Sequence, residues 1–234
     1  MSGASTLFAH LDYVSKWDLV LASQSPRRRE IVKMMGFGDR ARVVVSTFEE
    51  NLDKTSFSDP RDYAIANAEG KAREVAGRVL SAQALAQASG EDEGEGEMSA
   101  PVVVIGSDTI VDLDGQILEK PLDEEHAFSM LSSLSGRRHL VHSGVSLFTS
   151  RVGKGYAAVN FCETTEVSFT TLSAQEIRAY IRTREPMDKS GSYGIQGAGG
   201  QFVRRIEGCY FNVMGFPIHA FSRHMAALIE KGKA

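Results

Sequence analysis

The hydrophobic positions of the chain fall into short aliphatic runs and longer periodic stretches, which predict a mixture of strands and helices. Short, mainly aliphatic runs are typical of buried strands, and longer alternating runs are typical of half-buried ones. Asp114-Gly115 is the kind of pair that closes a tight hairpin. Strands are predicted at Asp18–Ala22, Arg42–Val45, Val102–Ile105, His139–Thr149, Tyr156–Thr170 and Phe202–Glu207.

Helices are predicted where capping residues precede an apolar stripe. Ser25 is a favourable N-cap and Pro26 is tolerated at the first helical position, so a helix should run from there to about Met35. Asp59-Pro60 opens a long helix that is expected to reach about Ala88. Further helices are expected at the stripe Ala127, Met130, Leu131 and Leu134, behind the capping box Ser173-Ala-Gln-Glu176, and after Pro217.

The order of these elements predicts an α/β fold with a mixed twisted sheet flanked by helices. The strands at 139–149 and 156–170 have no helix between them, which argues against a strictly alternating array. Residues 1–16 are expected to form a loose N-terminal extension, and residues 17–234 a single domain. Within it, Glu91–Glu97 holds five acids and two glycines. We therefore expect a flexible acidic insert at about 89–100, with an interaction segment as the alternative.

Composition and charge exclude several classes of protein. The 234 residues are 42% hydrophobic and 24% charged, as in soluble globular proteins. The net charge of −4 argues against a general nucleic-acid binder, which needs a basic surface. The longest aliphatic run, Val102–Ile105, is far short of the roughly 18 residues that a membrane helix needs. Without a signal-peptide pattern or a Cys-x-x-Cys pair, we expect a cytoplasmic protein with reduced cysteines that binds neither nucleic acid nor membrane.

Three consecutive arginines, Arg27 to Arg29, lie at the predicted turn from the first strand to the first helix. Helix N-termini favour acidic residues because the backbone dipole is positive there. Cations at this end are favourable if an anion joins them, and free amides with guanidinium groups make a phosphate site. The alternative is that the arginines point into solvent. In α/β folds, however, the strand-to-helix switch is also where ligands bind.

Acidic and basic residues elsewhere add candidate catalytic groups. Asp108 follows the aliphatic run that ends near Gly106, and at the carboxyl end of a strand it could bind a divalent cation or take a proton from water. The alternative is that it caps the strand in an Asx-turn. Glu49-Glu50 could help to hold a metal or could belong to a solvated turn. Lys71 and Lys120 are single lysines that could join a phosphate site.

The stretch from Gly191 to Gly200 is rich in glycine, which lets a backbone approach a ligand closely. Gln196 within it could read the edge of a base through hydrogen bonds. No Walker A sequence and no Gly-x-Gly-x-x-Gly after a strand is present, so P-loop and Rossmann sites are poor interpretations. His139 and His142 have the spacing of zinc ligands, but further ligands are not evident and we interpret them as strand residues. Together these groups indicate hydrolysis of a nucleoside triphosphate.

Five motifs also occur in the order found in Maf proteins, which are nucleoside triphosphate pyrophosphatases. They are Ser-Gln-Ser-Pro-Arg-Arg, Gly-Ser-Asp-Thr, Glu-Lys-Pro, Leu-Ser-Gly-Arg and Asp-Lys-Ser-Gly-Ser-Tyr-Gly-Ile-Gln-Gly. The chain resembles this family from about Leu19 to Ser222. The resemblance implies the Maf/Ham1 (ITPase-like) fold and a homodimer. It also implies cleavage between the α and β phosphates and a divalent cation, Mg²⁺ or Mn²⁺.

Matched motif by motif, the resemblance implies a role for individual residues. Asp108 becomes the catalytic residue and, with Glu50, a metal ligand. Substrate binding falls to Ser23, Arg28, Lys71 and Lys120. Three further positions mark the subgroup that hydrolyses dTTP and UTP, and here they are Arg27, Thr109 and Gln196.

Two departures from the family pattern leave the implied chemistry in place. Ser107 replaces the alanine that is usual before the catalytic aspartate, and the acidic insert is longer than usual. We therefore expect a dTTP/UTP pyrophosphatase that removes these nucleotides, or modified pyrimidine nucleotides, from the pool. The alternatives are a pyrophosphatase with another base preference, such as 7-methyl-GTP, and a non-catalytic nucleotide-binding regulator of cell division.

Overall fold

A computed structural model describes residues 6–37, 40–88, 101–151 and 155–233 of the chain. Within these ranges, seven strands form one mixed sheet in the order β2-β1-β3-β5-β6-β7, with β4 paired to β3. The pairs β1–β2 and β1–β3 are parallel, and the remaining pairs are antiparallel. The strands are β1 Asp18–Ala22, β2 Arg42–Val43, β3 Val102–Leu113, β4 Gln116–Leu118, β5 Arg138–Arg151, β6 Gly155–Phe169 and β7 Val203–Glu207. The predicted mixed α/β fold is confirmed.

The helices flank this sheet on both sides. Asp114 and Gly115 close the β3–β4 hairpin with φ angles of 54° and 87°, as the sequence predicts. The predicted capping box is also present, since Ser173 and Glu176 each bond to the other's backbone N–H. The helices are α1 Leu11–Val14, α2 Pro26–Val32, α3 Pro60–Ala88, α4 Glu124–Leu134, α5 Ala174–Arg182, α6 Tyr210–Met214 and α7 Ile218–Lys233.

The buried apolar side chains lie on both faces of the sheet, and alternation along the strands decides which face each one joins. In β1, Leu19 and Leu21 pack with α2 and α7, whereas Val20 and Ala22 pack with α3. The same alternation in β3 sends Val103 and Ile105 to the α2–α7 face. A separate apolar cluster lies around α4 and α5, at the far end of β3.

Two glycines allow α3 to lie directly on the sheet. A Cβ atom at Gly106 in β3 would be 2.1 Å from the carbonyl oxygen of Ala68, and one at Gly144 in β5 would be 2.3 Å from that of Ala64. No real Cβ atom approaches a backbone oxygen so closely, so the helix can keep this position only because neither glycine has a side chain. This contact sets the height of α3, and therefore of Lys71, above β3.

Two expectations about local structure are wrong. The segment 1–16 is not a loose extension throughout, because Leu7–His10 forms a 3₁₀ helix that continues into α1. Leu7 and Val14 are buried there against the α2–α7 cluster, and the Leu7 amide donates to Ser222 Oγ at 2.9 Å. Strand β3 does not end near Gly106, because β5 pairs with it from Val103 to Asp112 and carries it on to Leu113.

The remaining boundaries agree with the sequence to within about three residues or lie outside the described ranges. α3 spans Pro60–Ala88 as predicted, and β2 is two residues shorter than the predicted run Arg42–Val45. Residues 89–100, where we expect the acidic insert, lie outside the residues that the structure describes. No helix in the described ranges is both long and apolar enough to cross a membrane.

Candidate active site

A cavity of about 980 Å³ opens where β1 ends and β3 continues. Strand β1 pairs with β3 only as far as Ala22 opposite Gly106, so the next residues of β3 have no neighbour on that side. Asp108 and Thr109 lie there, on opposite faces of the strand, and both line the cavity. All the residues predicted to form the site line this same cavity: Ser23, Arg27, Arg28, Glu50, Lys71, Asp108, Thr109, Lys120 and Gln196.

Arg28 is held on one wall of the cavity by three oxygen acceptors. Its Nε donates to the Gly215 carbonyl at 2.9 Å, and its Nη2 donates to Thr109 Oγ1 at 3.0 Å. A longer contact of 3.4 Å joins Nη1 to Ser23 Oγ. Burial lowers the pKa of Arg28, and Asp108 and Glu50 offset part of this effect. The guanidinium nevertheless stays charged, and it is fixed toward the cavity before any ligand arrives.

The arginine run divides into residues that face the cavity and one that does not. Arg27 and Arg28 line the cavity, whereas Arg29 is exposed on the outer side of α2. The solvated alternative therefore holds for Arg29 alone. Ser25 caps the helix as predicted, with its Oγ accepting from the Arg28 amide at 3.4 Å.

Lys71 lines the same cavity and joins two carboxylates. Its Nζ lies 2.8 Å from Asp108 Oδ1 and 2.7 Å from Glu50 Oε2. The side chains of Lys71 and Asp108 are 9% and 11% exposed, so this is a nearly buried ion pair, while Glu50 is 46% exposed. Burial raises the pKa of Asp108, but the charges of Lys71 and Arg28 lower it, and on balance its pKa lies below the ordinary value. Asp108 is thus a carboxylate between two cations.

The loop that carries Glu50 is tied to α3 by the neighbouring Glu74. Ser46 Oγ and the Thr47 amide both donate to Glu74 Oε2, at 2.9 and 3.0 Å. Helix α3 therefore presents Lys71 and supports the loop that brings Glu50 to it. The preceding Glu49 is exposed and accepts from the Asn51 side chain, so only one member of the acidic pair faces Lys71.

The glycine-rich stretch also lines the cavity. Gln196 is exposed at the cavity mouth, as is Lys120 at the end of the β4 hairpin. Arg27 reaches across the mouth toward Asp188, with 3.8 Å between Nη1 and Oδ2. Asp188 and Arg27 therefore connect α2 to the loop that follows α5. The structure brings together every residue that the family resemblance implicates, from six separate segments of the chain.

Sequence reasoning missed Glu185, whose side chain also lines the cavity. Its carboxylate accepts from the amides of Ala198 and Gly199 and from the Tyr180 hydroxyl. No sequence signal marks this residue, because its partners are mostly backbone groups. Tyr180 is one of the buried residues of α5, with Ile177 and Ile181.

The histidines of β5 lie away from the cavity. His139 Nε2 is 2.8 Å from the Tyr193 hydroxyl, and His142 bridges Thr164 Oγ1 at 2.9 Å and Asp112 Oδ2 at 3.3 Å. Both rings are buried within the sheet layer. Their contacts are those of strand residues, as expected.

The carboxylates of the cavity suit a divalent cation that is also bound by a phosphate ligand. Among the described residues, no three His, Cys, Asp or Glu side chains come together as a metal site. Glu50 and Asp108 nevertheless offer two carboxylates that both contact Lys71 Nζ. Mg²⁺ is commonly bound by one or two protein carboxylates together with water and substrate phosphates. The donor set therefore fits a cation that arrives with a phosphate ligand.

Comparison with known proteins places the whole arrangement in one family. The family model described as "Maf-like protein" matches residues 18–228. The chain belongs to the Maf-like protein family. The Maf-like region thus includes the complete sheet and every residue that lines the cavity.

Individual relatives of this Maf-like chain carry similar names. A dTTP/UTP pyrophosphatase of Clostridium perfringens strain SM101 is 43% identical over 86% of this chain and 92% of its own length. One from Thermococcus kodakarensis is 45% identical over 86% of this chain and 91% of its own length. A human relative is named "Probable bifunctional dTTP/UTP pyrophosphatase/methyltransferase protein" and is 43% identical over 90% of this chain. The match spans only 32% of the human protein.

Proposed function

We propose that this protein hydrolyses dTTP and UTP to the nucleoside monophosphate and pyrophosphate. The observation that carries the proposal is the Lys71–Asp108 pair facing Arg28 in a large cavity, in a chain whose relatives are named dTTP/UTP pyrophosphatases. A cavity of about 980 Å³ lies within the range that small-molecule sites occupy, at its upper end, as an extended triphosphate requires. The fixed cations match the charge of a triphosphate.

Water attacks the α phosphorus, and the bond from that phosphorus to the oxygen that bridges α and β breaks. Asp108 accepts a hydrogen bond from the water, orients its oxygen toward the phosphorus and takes its proton as the new bond forms. The leaving pyrophosphate gains negative charge, which Arg28, Lys71 and Lys120 neutralise. Ser23 supports Arg28 through the contact between its Oγ and Nη1.

Glu50 and Asp108 would hold the divalent cation, Mg²⁺ or Mn²⁺, which supplies Lewis-acid neutralisation of phosphate charge when it is bound. Lys71 contacts both carboxylates, so it limits the repulsion between them. With the cation between the two carboxylates, Lys71 would no longer be needed to limit their repulsion. Its side chain could then turn toward a phosphate. Activity should disappear in a chelator and return when the metal is added in excess.

Gln196 would read the base. A pyrimidine presents a carbonyl and, in uracil and thymine, an N–H on its pairing edge, and a carboxamide can meet that pair. Gln196 lies exposed at the cavity mouth, whereas Lys71 and Asp108 are nearly buried. Arg27 and Thr109 lie beside the start of α2 and beside Asp108, so they would orient the nucleotide.

The proposal is tested by pyrophosphate release over a panel of nucleoside triphosphates, comparing wild type with Asp108→Asn. The variant keeps the size of the side chain but loses its charge, and we expect near-complete loss of turnover with the fold intact. Asp112→Asn is the matched control, because Asp112 lies on the same strand, is equally buried at 8% and faces His142 rather than the cavity.

Each outcome of the panel bears on the proposal. Preference for UTP and dTTP, lost in Asp108→Asn and kept in Asp112→Asn, supports it. Preference for 7-methyl-GTP would replace the proposed substrate with another one. Nucleotide binding without turnover would favour the regulator of cell division instead.

We also propose that the enzyme is a cytoplasmic homodimer that acts on free nucleotides and has no nucleic-acid or membrane partner. The family resemblance supports the dimer, and the net charge of −4 supports the absence of nucleic acid. Light scattering behind size exclusion would test the mass, since one protomer weighs 25.5 kDa.

A further inference from the structure

The amides of the glycine-rich loop are already occupied by a carboxylate of the protein itself. Ala198 N donates to Glu185 Oε2 at 2.9 Å, and Gly199 N donates to Glu185 Oε1 at 3.1 Å. The Tyr180 hydroxyl donates to the same Oε1 at 2.9 Å and accepts from the Gly194 amide at 3.2 Å. Glu185 therefore fixes one end of the segment that carries Gln196 directly and the other end through Tyr180.

Any side chain at Gly197 or Gly194 of this segment would collide with Glu185 or with its partner Lys189. A Cβ atom at Gly197 would lie 2.5 Å from Glu185 Oε1 and 2.6 Å from its Oε2. On the other side, a Cβ at Gly194 would lie 2.7 Å from Lys189 Cε, and Lys189 Nζ donates to the Glu185 carbonyl. The loop therefore packs closely against the Glu185 carboxylate at Gly197 and against Lys189, which bonds to the Glu185 carbonyl, at Gly194.

Consecutive loop amides commonly bind phosphate. Here the amides of Ala198 and Gly199 already bond to Glu185, so they are not available to a phosphate. Burial raises the pKa of Glu185, but the Gly199 and Ala198 amides and the Tyr180 hydroxyl lower it, and its pKa ends below the ordinary value. A charged carboxylate that fills these amides leaves no room for a phosphate and repels one. The cations Arg28 and Lys71 are held by residues outside this loop, Arg28 by Gly215 and Thr109 and Lys71 by Asp108 and Glu50.

We propose that Glu185 is a positioning residue that makes the Gly194–Gly199 side of the cavity its nucleoside end. It does so in two ways, by holding the loop so that Gln196 meets the base and by excluding the triphosphate from the loop amides. This inference rests on the proposed function, because it assigns the two ends of the same nucleotide.

Glu185→Gln is the decisive substitution. The carboxamide has one acceptor oxygen and one donor nitrogen, so it can satisfy only one of the two amides and turns a donor toward the other. Glu176→Gln is the matched control, since Glu176 also accepts a backbone amide, at 2.7 Å from Ser173, but lies outside the cavity. Both variants replace a carboxylate that accepts a backbone amide by a carboxamide, and only one of them lies behind Gln196.

Binding at both ends of the cavity is measured by calorimetry with a chelator present, using UTP and inorganic pyrophosphate as probes. We expect Glu185→Gln to weaken UTP binding about tenfold, the equivalent of about 1.4 kcal/mol, and to leave pyrophosphate binding within about twofold of wild type. Glu176→Gln should change neither. Equal weakening of both probes, or unchanged UTP binding, would overturn the role of Glu185.

Hydrogen exchange gives a readout that does not depend on any ligand. In Glu185→Gln the amides of the peptide containing Ala198 and Gly199 should exchange about tenfold faster, while α3 and β5 exchange as in wild type. Faster exchange throughout the protein would indicate general destabilisation and contradict a local clamp. Gly197→Ala, which pushes against the same carboxylate, should reproduce the local effect if Glu185→Gln folds poorly.

Kinetics separates this inference from the function on which it rests. If wild type binds UTP but releases no pyrophosphate from UTP or dTTP, the proposed function fails, and the ratio of UTP to pyrophosphate affinities still decides the role of Glu185. If wild type is active, Glu185→Gln should raise KM for UTP about tenfold and change kcat much less. A loss of kcat with KM unchanged would refute the positioning role.

Discussion

Replacing Gly106 by alanine should separate Lys71 from Asp108 without touching either residue. The new Cβ would lie 2.1 Å from the Ala68 carbonyl oxygen and 2.8 Å from Ala72 Cβ. Neither atom belongs to a flexible side-chain end, so the relief must come from a movement of α3 away from β3. Lys71 lies between the two contacted residues on this helix and would move with it.

The size of the effect follows from these distances. Ordinary contacts of a Cβ atom begin near 3.4 Å, so the helix must shift locally by about 1 Å. Overpacking of this kind costs about 1–3 kcal/mol, which lowers the Tm of a protein of this size by about 2–4 °C per kcal/mol. Because a misplacement of about 1 Å in a catalytic group can cost about a hundredfold in rate, we expect turnover to fall by about that factor.

Gly77→Ala is the matched control, because Gly77 lies in the same helix and nothing lies within 4 Å of its added Cβ. Alanine there should stabilise the protein by about 0.5–1 kcal/mol and leave turnover unchanged. Thermal unfolding and pyrophosphate release from UTP are measured for both variants. If Gly106→Ala kept both the Tm and the turnover of wild type, the argument that the glycine sets the height of α3 would be refuted.

Three further predictions concern separate parts of the chain. Gln196→Ala should lower kcat/KM for UTP and dTTP about tenfold or more with an unchanged Tm, since a lost hydrogen bond to a buried partner costs about 1–3 kcal/mol; an unchanged substrate profile would remove Gln196 from base recognition. Deleting Glu91–Glu97 should leave Tm and turnover nearly unchanged, because the segment has no apolar residue to bury, and a large loss of either would contradict this. Burial lowers the pKa of His139 to about 4 from 6.5, so the stability that it contributes above pH 6.5 is lost as the pH falls toward 4. Between pH 7 and pH 4, the free energy of unfolding in urea should fall by about 3 kcal/mol more for wild type than for His139→Phe. Parallel dependence of the two free energies on pH would refute this.

Local signals predicted most of the fold because they depend on neighbouring residues. The stripe Ala127, Met130, Leu131 and Leu134 supplies the four buried residues of α4, and the Ser173 capping box opens α5. The short helix α6 was missed because its N-cap position, Cys209, makes no side-chain cap bond. The length of β3 was underestimated because Gly106-Ser-Asp108 resembles a strand end, and only the partner strand β5 extends it.

The position of Asp108 required knowledge of the sheet. The sequence predicts an acid at the carboxyl end of a strand, whereas Asp108 lies in the middle of β3. The expected exposure to a crevice is nevertheless real, because the parallel neighbour β1 stops at Ala22 while the antiparallel neighbour β5 continues. The cavity therefore lies at the carboxyl end of β1, and Asp108 lies on the neighbouring strand β3.

Glu185 shows which part of a site a single sequence leaves hidden. Its partners Ala198 and Gly199 contribute backbone amides, which every residue except proline carries, so no spacing of residue types marks the contact. In the sequence only Gly197 reflects this contact, because any side chain at that position would collide with the Glu185 carboxylate. A glycine-rich loop is therefore ambiguous as a sequence signal: its glycines can admit a phosphate or can make room for an acid of the protein. In this chain Gly197 makes room for Glu185, and we therefore propose that the phosphates bind at Arg28 and Lys71 rather than at the loop amides.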